Sequence, residues 1–383
     1  MREKKSVQRL HAYEATATLI GTIIGAGVLG IPYVMAKAGF LTGLLVLLLL
    51  GTVILTINLC IGEVVLRTKG IHQLTGYVGI YLGDRGRRLM TVAMIVGNYG
   101  ALMAYIIGEG RSLAEVFGGN PWVWSAVFFA IGSFIIYRGL MVVGFSELVL
   151  SGIKFSALFI ILVLMVSSRF FDPSYLMHFD ISKFFVPYGV ILFAFLGAIA
   201  IPEMREELSG HLKDMKRAIV IGSIVPLIAY ALFGFAVVGV TGYYTTEVAN
   251  VGIGRLMGFV PLLIVNLFAV MAMATSFIAI GLGLKEMYEY DYGIKPLLSF
   301  VLTLSVPVLL ILAGIHSFIK ILGLTGALAG GLEGILLLLT YWKARMHGQR
   351  KPEYEVRVGL VPIALIVVAF VIGAIITIKE TTL

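Results

Sequence analysis

Few residues of this chain carry side chains that could take part in chemistry, and their spacing matches no catalytic constellation. There is no H-E-x-x-H, no paired aspartate motif, and no G-x-S-x-G in a strand–turn–helix setting. His316 stands alone at a helix end. Cys60 is the single cysteine, which excludes a disulfide framework and a Cys-based metal cluster. What remains is a handful of polar groups inside long apolar runs: Lys154, Glu333, Thr275 with Ser276, and Asn98, Tyr99 and Tyr105. Ionisable groups at bilayer depth mark binding sites, ion paths or proton relays. The chemistry they suggest is binding and proton or cation exchange, not bond making, and no cofactor is implied. Lys154 lies roughly 17 Å from either end of its run by helical rise, too deep to snorkel, so its ammonium must face the protein interior. It either exchanges a proton there or pairs with a carboxylate such as Glu147 or Glu333. The hydroxyls of Thr275 and Ser276 either hold a cation or bond carbonyls of their own helix.

A second set of binding groups comes from the backbone. "GTIIGAGVLGIP" (21–32) packs four glycines and a proline into an apolar run. Glycine costs a helix interior about 1 kcal/mol and proline about 3 kcal/mol relative to alanine. "FAFLGAIAIPEMREEL" (193–208) repeats the pattern with Gly197 and Pro202. Broken helices leave N–H and C=O groups unpaired, which at membrane depth is tolerated only around a cavity. Helix N-termini there attract a carboxylate, and exposed carbonyls attract an ammonium or a metal cation. The bland alternative is small-residue helix packing.

These groups need elements to position them, and composition says which. The 383 residues are 59% hydrophobic and only 13% charged, against about 25% charged in soluble domains. The chain is therefore all-α and lies in the lipid bilayer. Its net charge of +8 does not imply nucleic acid, because in a membrane protein the placement of basic residues outweighs their sum. Apolar stretches of about 20 residues predict eleven helices, at 12–39, 40–66, 88–117, 121–138, 143–167, 186–204, 217–240, 259–284, 296–314, 318–342 and 358–379. The first two meet at Gly39. With a cytoplasmic N-terminus, 21 basic residues fall on the inner loops and 7 on the outer ones, so the positive-inside rule predicts the N-terminus inside and the C-terminus outside. The charged start "MREKKSVQR" carries no cleavage signal. Segments 71–83, 168–185 and 241–258 read as interfacial helices or ordered loops. Glu14, Glu63, Glu109 and Glu147 fall near span ends and read as interfacial. "PEMREEL" and "HLKDMKR" read as a solvated charge cluster, a gate or a loop network.

Five helices separate the starts of the two interrupted spans. Because five is odd, a repeat of that size inserts upside down relative to its copy, and paired interruptions in inverted halves are a sequence pointer to a transport site. Here the residues resemble a family. "GTIIGAGVLGIPYVMAKAGF" (21–40), "AYIIGEG" (104–110), "FAFLGAIAIPEM" (193–204) and "ATSFIAIGLGL" (274–284) resemble helices one, three, six and eight of the hydroxy/aromatic amino acid permeases, within the amino acid/auxin permease group. The resemblance implies a single transporter domain with the LeuT-type fold: a first repeat over 12–167, an inverted second repeat over 186–342, and an extra helix at 358–379. It also implies import of amino acids across the cell membrane, driven by an ion or a proton.

Carried over residue by residue, the resemblance gives Gly25, Ala26 and Gly27 as amide donors to the amino acid carboxylate. Carbonyls around Ala194, Phe195 and Leu196 take its ammonium, and Phe195 walls the side-chain pocket. Asn98, Leu102, Tyr105, Met271 and Ala272 complete an uncharged pocket, which favours a neutral amino acid, with aromatic and hydroxy amino acids among the candidates. A helix-five lysine of related transporters sits where Lys154 does, its ammonium taking the place of a sodium ion beside Thr275 and Ser276, so the expected coupling ion is H+, with Glu333 as a further coupling candidate. Sodium held by the Ile24 carbonyl, Thr275 and Ser276 is the alternative, and a sensor that binds without transporting is another. An enzyme and a channel are disfavoured, the latter for want of a repeated filter element.

Overall fold

The computed structural model describes residues 2–139 and 145–382, with side chains placed for 11–139, 152–289 and 292–380. Glu147 lies outside the described side chains. Every regular element among the described residues is helical: α1 Arg2–Ile23, α2 Gly27–Ala38, α3 Phe40–Arg67, α4 Leu74–Phe117, α5 Pro121–Arg138, α6 Phe145–Val166, α7 Tyr188–Ala194, α8 Ala200–Glu207, α9 Met215–Thr241, α10 Ala249–Met257, α11 Phe259–Glu286, α12 Pro296–Leu312, α13 Phe318–Thr325, α14 Gly331–His347 and α15 Leu360–Thr382. By length and apolarity, seven helical stretches can each cross a membrane, and His11–Ile23 with Gly27–Ala38, bent by 53°, makes an eighth. Gly152–Val166 and Pro296–Leu312 are shorter apolar helices. Leu41, Leu45, Leu48 and Leu49 of α3 and Val361, Leu365 and Val368 of α15 point outward, the surface a lipid-facing helix presents.

The junction of the first two predicted spans is set by one residue. Gly39 has φ 89°, and a Cβ there would sit 2.8 Å from the His178 carbonyl oxygen, so no other residue fits both the turn and the contact. Leu41 then donates its N–H to that same carbonyl at 3.1 Å, pinning the α2–α3 joint to the 168–185 segment, which forms two short 3₁₀ turns.

Of the three connecting segments read as interfacial helices or loops, 168–185 is the loop just described and the other two form helices. Most of 71–83 becomes the start of α4, which kinks at Gly83 (φ 71°). Segment 241–258 yields α10, whose Ala249, Asn250, Gly252 and Ile253 are buried against α11, α9, α2 and α4. Its apolar residues meet protein on several sides, so it is a tertiary element of the bundle.

Segment 348–359 straps α14 to α3. Gln349 and Arg350 donate backbone N–H groups to the Arg67 carbonyl, Tyr354 donates to the Leu59 carbonyl at 2.8 Å, and the Val356 N–H donates to Glu63. Glu63 also pairs with Arg67 at 2.7 Å. Its side chain is fully buried, which corrects the interfacial reading: the strap folds over it. Glu14, by contrast, is exposed and pairs with His11. Cys60 is a buried free thiol in α3, as its place in an apolar run suggests.

Candidate functional site

The first break begins where the helix bonds of α1 run out. Ile24 still donates to the Ile20 carbonyl at 2.9 Å, but Gly25 turns back on Ile23 at 3.0 Å. Val28 and Leu29 close on Gly25 and Ala26 at 3.4 and 3.1 Å. Among the described residues, the amides of Ala26 and Gly27 have no backbone acceptor. They are the leading N–H groups of α2, the positive end of its dipole. The second break has the same origin. α7 stops at Ala194, Leu196 donates to Phe193, and Ala200 donates to Gly197 at 3.1 Å as α8 begins. Pro202 falls in the first turn of α8, where its missing N–H costs nothing.

The two breaks touch. A Cβ on Gly27 would lie 2.5 Å from the Cα of Ala194, and a Cβ on Gly197 would lie 2.4 Å from Ile23 Cγ1. Tyr230 of α9, fully buried, joins them: its one hydroxyl proton lies between the Ile23 carbonyl at 2.7 Å and the Ala194 carbonyl at 2.9 Å. Those are the last residues of α1 and α7. Phe195 sets its ring edge-on to Tyr230, with centroids 5.3 Å apart, and reaches toward Gly51 of α3.

Gly25 faces the other way. A Cβ there would lie 2.9 Å from the Tyr105 hydroxyl and 3.3 Å from Ser276 Oγ, so both hydroxyls face the first break. α4 and α11 therefore converge on the first break. Leu102 and Ala272 are fully buried, while Asn98 and Met271 are half-buried. Leu196 packs toward Gly330, between α13 and α14. Tyr99 faces elsewhere, bonding Tyr288 at 2.7 Å and the Leu302 carbonyl at 3.1 Å, so of the two tyrosines only Tyr105 meets the break.

Of the expected coupling groups, Thr275 spends its hydroxyl on the Met271 carbonyl of its own helix at 2.8 Å, while Ser276 faces Gly25. Lys154 is buried and lines a void of about 10 Å3 with Ile20, Gly21, Ile24, Phe155 and Phe268, room for about one water. It thus lies between α1 and α11, next to the break. Glu333 is half-buried in the first turn of α14.

Three features lay outside the sequence reading. Tyr230 looked like one more aromatic in an apolar run. Glu109 is fully buried, with neither carboxyl oxygen hydrogen-bonded among the described residues. This corrects its interfacial reading, because α10, α11 and α13 pack against α4 beyond the point where the sequence places water. Arg205 of α8 donates to the carbonyls of Gly70 and Thr68 and to the Tyr77 hydroxyl, and Thr18 of α1 donates to Glu207. The "PEMREEL" charges thus form a latch at one end of the bundle. At the other end Arg111 pairs with Glu247 at 2.6 Å.

The tryptophan/tyrosine permease family matches residues 10–378. Tyrosine-specific transport system 1 of Haemophilus influenzae is 29% identical over 95% of this chain and 94% of its own length. Tyrosine-specific transport system 2 of the same organism is 26% identical over 94% and 93%. Glutamine transporter 2 of Aliivibrio fischeri is 23% identical over 81% and 83%.

Proposed function

The chain belongs to the tryptophan/tyrosine permease family, and from that premise we propose that it imports neutral amino acids, aromatic or hydroxy amino acids among them, by proton symport. It is a transporter and not an enzyme. The observation that carries the reading is the meeting of the two helix breaks, tied by Tyr230 at both final carbonyls. The free amides of Ala26 and Gly27 would take the carboxylate, and carbonyls at Ala194, Phe195 and Leu196 the ammonium. Leu102, Tyr105, Met271, Ala272 and Asn98 would surround the side chain. Transport then alternates access around this fixed site, with the Arg205 latch on the inner side and the Arg111–Glu247 pair on the outer side.

The same reading counts eleven crossings. It adds the α7–α8 pair and the two shorter helices to the eight of sufficient length, arranged as inverted repeats over 12–167 and 186–342 with α15 outside them. That places the N-terminus in the cytoplasm and the C-terminus outside the cell membrane. Lys154 would carry the coupled proton beside α1 and α11, with Ser276 close by. The alternative is sodium at the Ile24 carbonyl, Thr275 and Ser276; the Thr275 hydroxyl donates within its helix but keeps its lone pairs for a cation.

The test has two steps. Thermal stabilisation of the purified chain by a panel of amino acids identifies the substrate, since ligand at 100 times Kd adds about 2.7 kcal/mol. Uptake of that amino acid into proteoliposomes is then followed with an inward pH gradient, with sodium, or with neither. Accumulation on the pH gradient alone, lost in Lys154→Ala, is expected. Uptake that needs sodium and ignores pH would overturn the proton reading, and binding without uptake would make the protein a sensor.

A further inference from the structure

One buried acid has no part in the mechanism above. On the face of α4 turned to α11, Tyr105 meets Ser276, and Gly108 meets Met273, whose Sδ would lie 2.8 Å from a Cβ. Further along, Ser112 accepts from Asn250 at 2.8 Å, and Asn250 donates to Asn266 of α11 at 2.8 Å. Glu109 falls between these contacts, four residues from Tyr105 and three from Ser112, hence on the same helix face. Both its oxygens lack a partner among the described residues, as does Asn250 Oδ1. Flanking Ser112 on α4, Arg111 and Glu115 line a cavity of about 480 Å3 shared with Thr246, Glu247, Val251 and Arg255. In order along α4, then, come the cavity-lining Glu115 and Arg111 on either side of Ser112 with Asn250, the buried Glu109, and Tyr105 facing Gly25.

More than about 90% of buried polar groups are hydrogen-bonded, so a purely structural carboxyl would be held by donors. An unpaired carboxylate sealed from water carries a desolvation penalty of several kcal/mol, and a bound proton removes it. The other titratable groups around it are few. α4 itself supplies Tyr105 inward and Arg111 and Glu115 outward, the last two paired with Glu247 and Arg255. α10 supplies Arg255, and α13 supplies Lys320. α11 has none from Phe259 to Leu284, and α5 none from Trp122 to Ile136. Glu333 lies past Ala329, which packs opposite Gly97.

We propose that Glu109 is a proton-binding site on the outer path, which loads the coupled proton before the amino acid is enclosed. This rests on the proton-symport reading. When the outer path opens and water reaches Glu109, a hydronium gives up its proton to a carboxylate oxygen, leaving water and a new O–H bond. The proton returns to water or to the inner coupling group when the site next opens. Sodium is the competing occupant, since Asn250 Oδ1 is also without a partner among the described residues, but the cluster offers a single acid.

The full chain and its Glu109→Gln variant are reconstituted, using the neutral amino acid that most stabilises the wild type. Two readouts are taken: accumulation driven by a pH gradient, with a lumenal pH dye reporting proton movement, and exchange of labelled for unlabelled substrate at equal pH. The expected result is that Glu109→Gln loses accumulation and proton movement while exchange persists. If the variant loses exchange as well, Glu109→Asp decides: restored proton-driven accumulation supports the site, and continued loss overturns it. Wild-type proton movement in Glu109→Gln also overturns it. Wild-type accumulation that ignores pH fails the symport reading instead, and shows in the unmutated protein.

Discussion

Gly25 and Gly27 are two residues apart and lack a Cβ for different reasons. At Gly27 the obstacle is the backbone of Ala194, 2.5 Å from where a Cβ would be, and backbone cannot swing aside. Gly27→Ala is expected to destabilise the protein by about 1–3 kcal/mol, the range for overpacking, seen as a lowered melting temperature. At Gly25 the obstacles are the ends of two side chains, Tyr105 and Ser276, which can move. Gly25→Ala is therefore expected to keep the fold and lower substrate affinity, read by thermal stabilisation with ligand. Equal losses of stability in both variants would contradict this division. Tyr230→Phe removes one O–H proton shared between two carbonyls, a bond of about 1 kcal/mol, and frees both terminal carbonyls. Weakened substrate stabilisation together with a lower melting temperature is expected, and unchanged transport would show the tie to be idle. The sequence announces the glycines because breakers are costly in a helix. It hides Tyr230, because only the fold brings residues 23, 194 and 230 together.

The latch is a property of elements. Arg205 reaches from α8 to the α3–α4 connection with three hydrogen bonds, and Thr18 ties α1 to the same short helix. Arg205→Ala should release α8 and open the break from that end. With Cys60→Ser as background, a cysteine at Ala198, buried between α7 and α8, should react faster with a hydrophilic thiol reagent when Arg205 is replaced. An unchanged rate would mean the hydrogen bonds do not hold the closed form. Apolar run length made the long helices and both interruptions legible. It failed for α10, because nine residues ending at Gly258 look alike whether they lie on a bilayer or are sandwiched among α11, α9, α2 and α4. It failed for Glu109 for the same reason: the helices that cover it are distant in sequence.

On the scale of the whole molecule, the strap at 348–359 joins the two ends of the chain's fold. Burial pushes the Tyr354 phenol well above its usual range. A group whose value rises on folding contributes stability that is complete below its unfolded value, about 10, and is lost as pH climbs through the folded one. Melting temperature should therefore fall more steeply above about pH 10 in the wild type than in Tyr354→Phe. At neutral pH that variant should be the less stable by about 1 kcal/mol, for the lost bond to Leu59. Parallel alkaline profiles would remove Tyr354 from this account.

The same strap sets a schedule for biosynthesis. Glu63 emerges early in translation, yet the backbone N–H that it binds belongs to Val356, 293 residues later. At about 5–20 residues per second, a ribosome needs on the order of 15–60 s to deliver it. Through that interval the nascent α3 holds a carboxylate with Arg67 as its near partner and no lid above it. The bundle can therefore be assembled but not sealed until its last helix is being made. A chain stopped after His347 would leave that acid permanently uncovered, a mark by which membrane proteases could tell unfinished copies from finished ones.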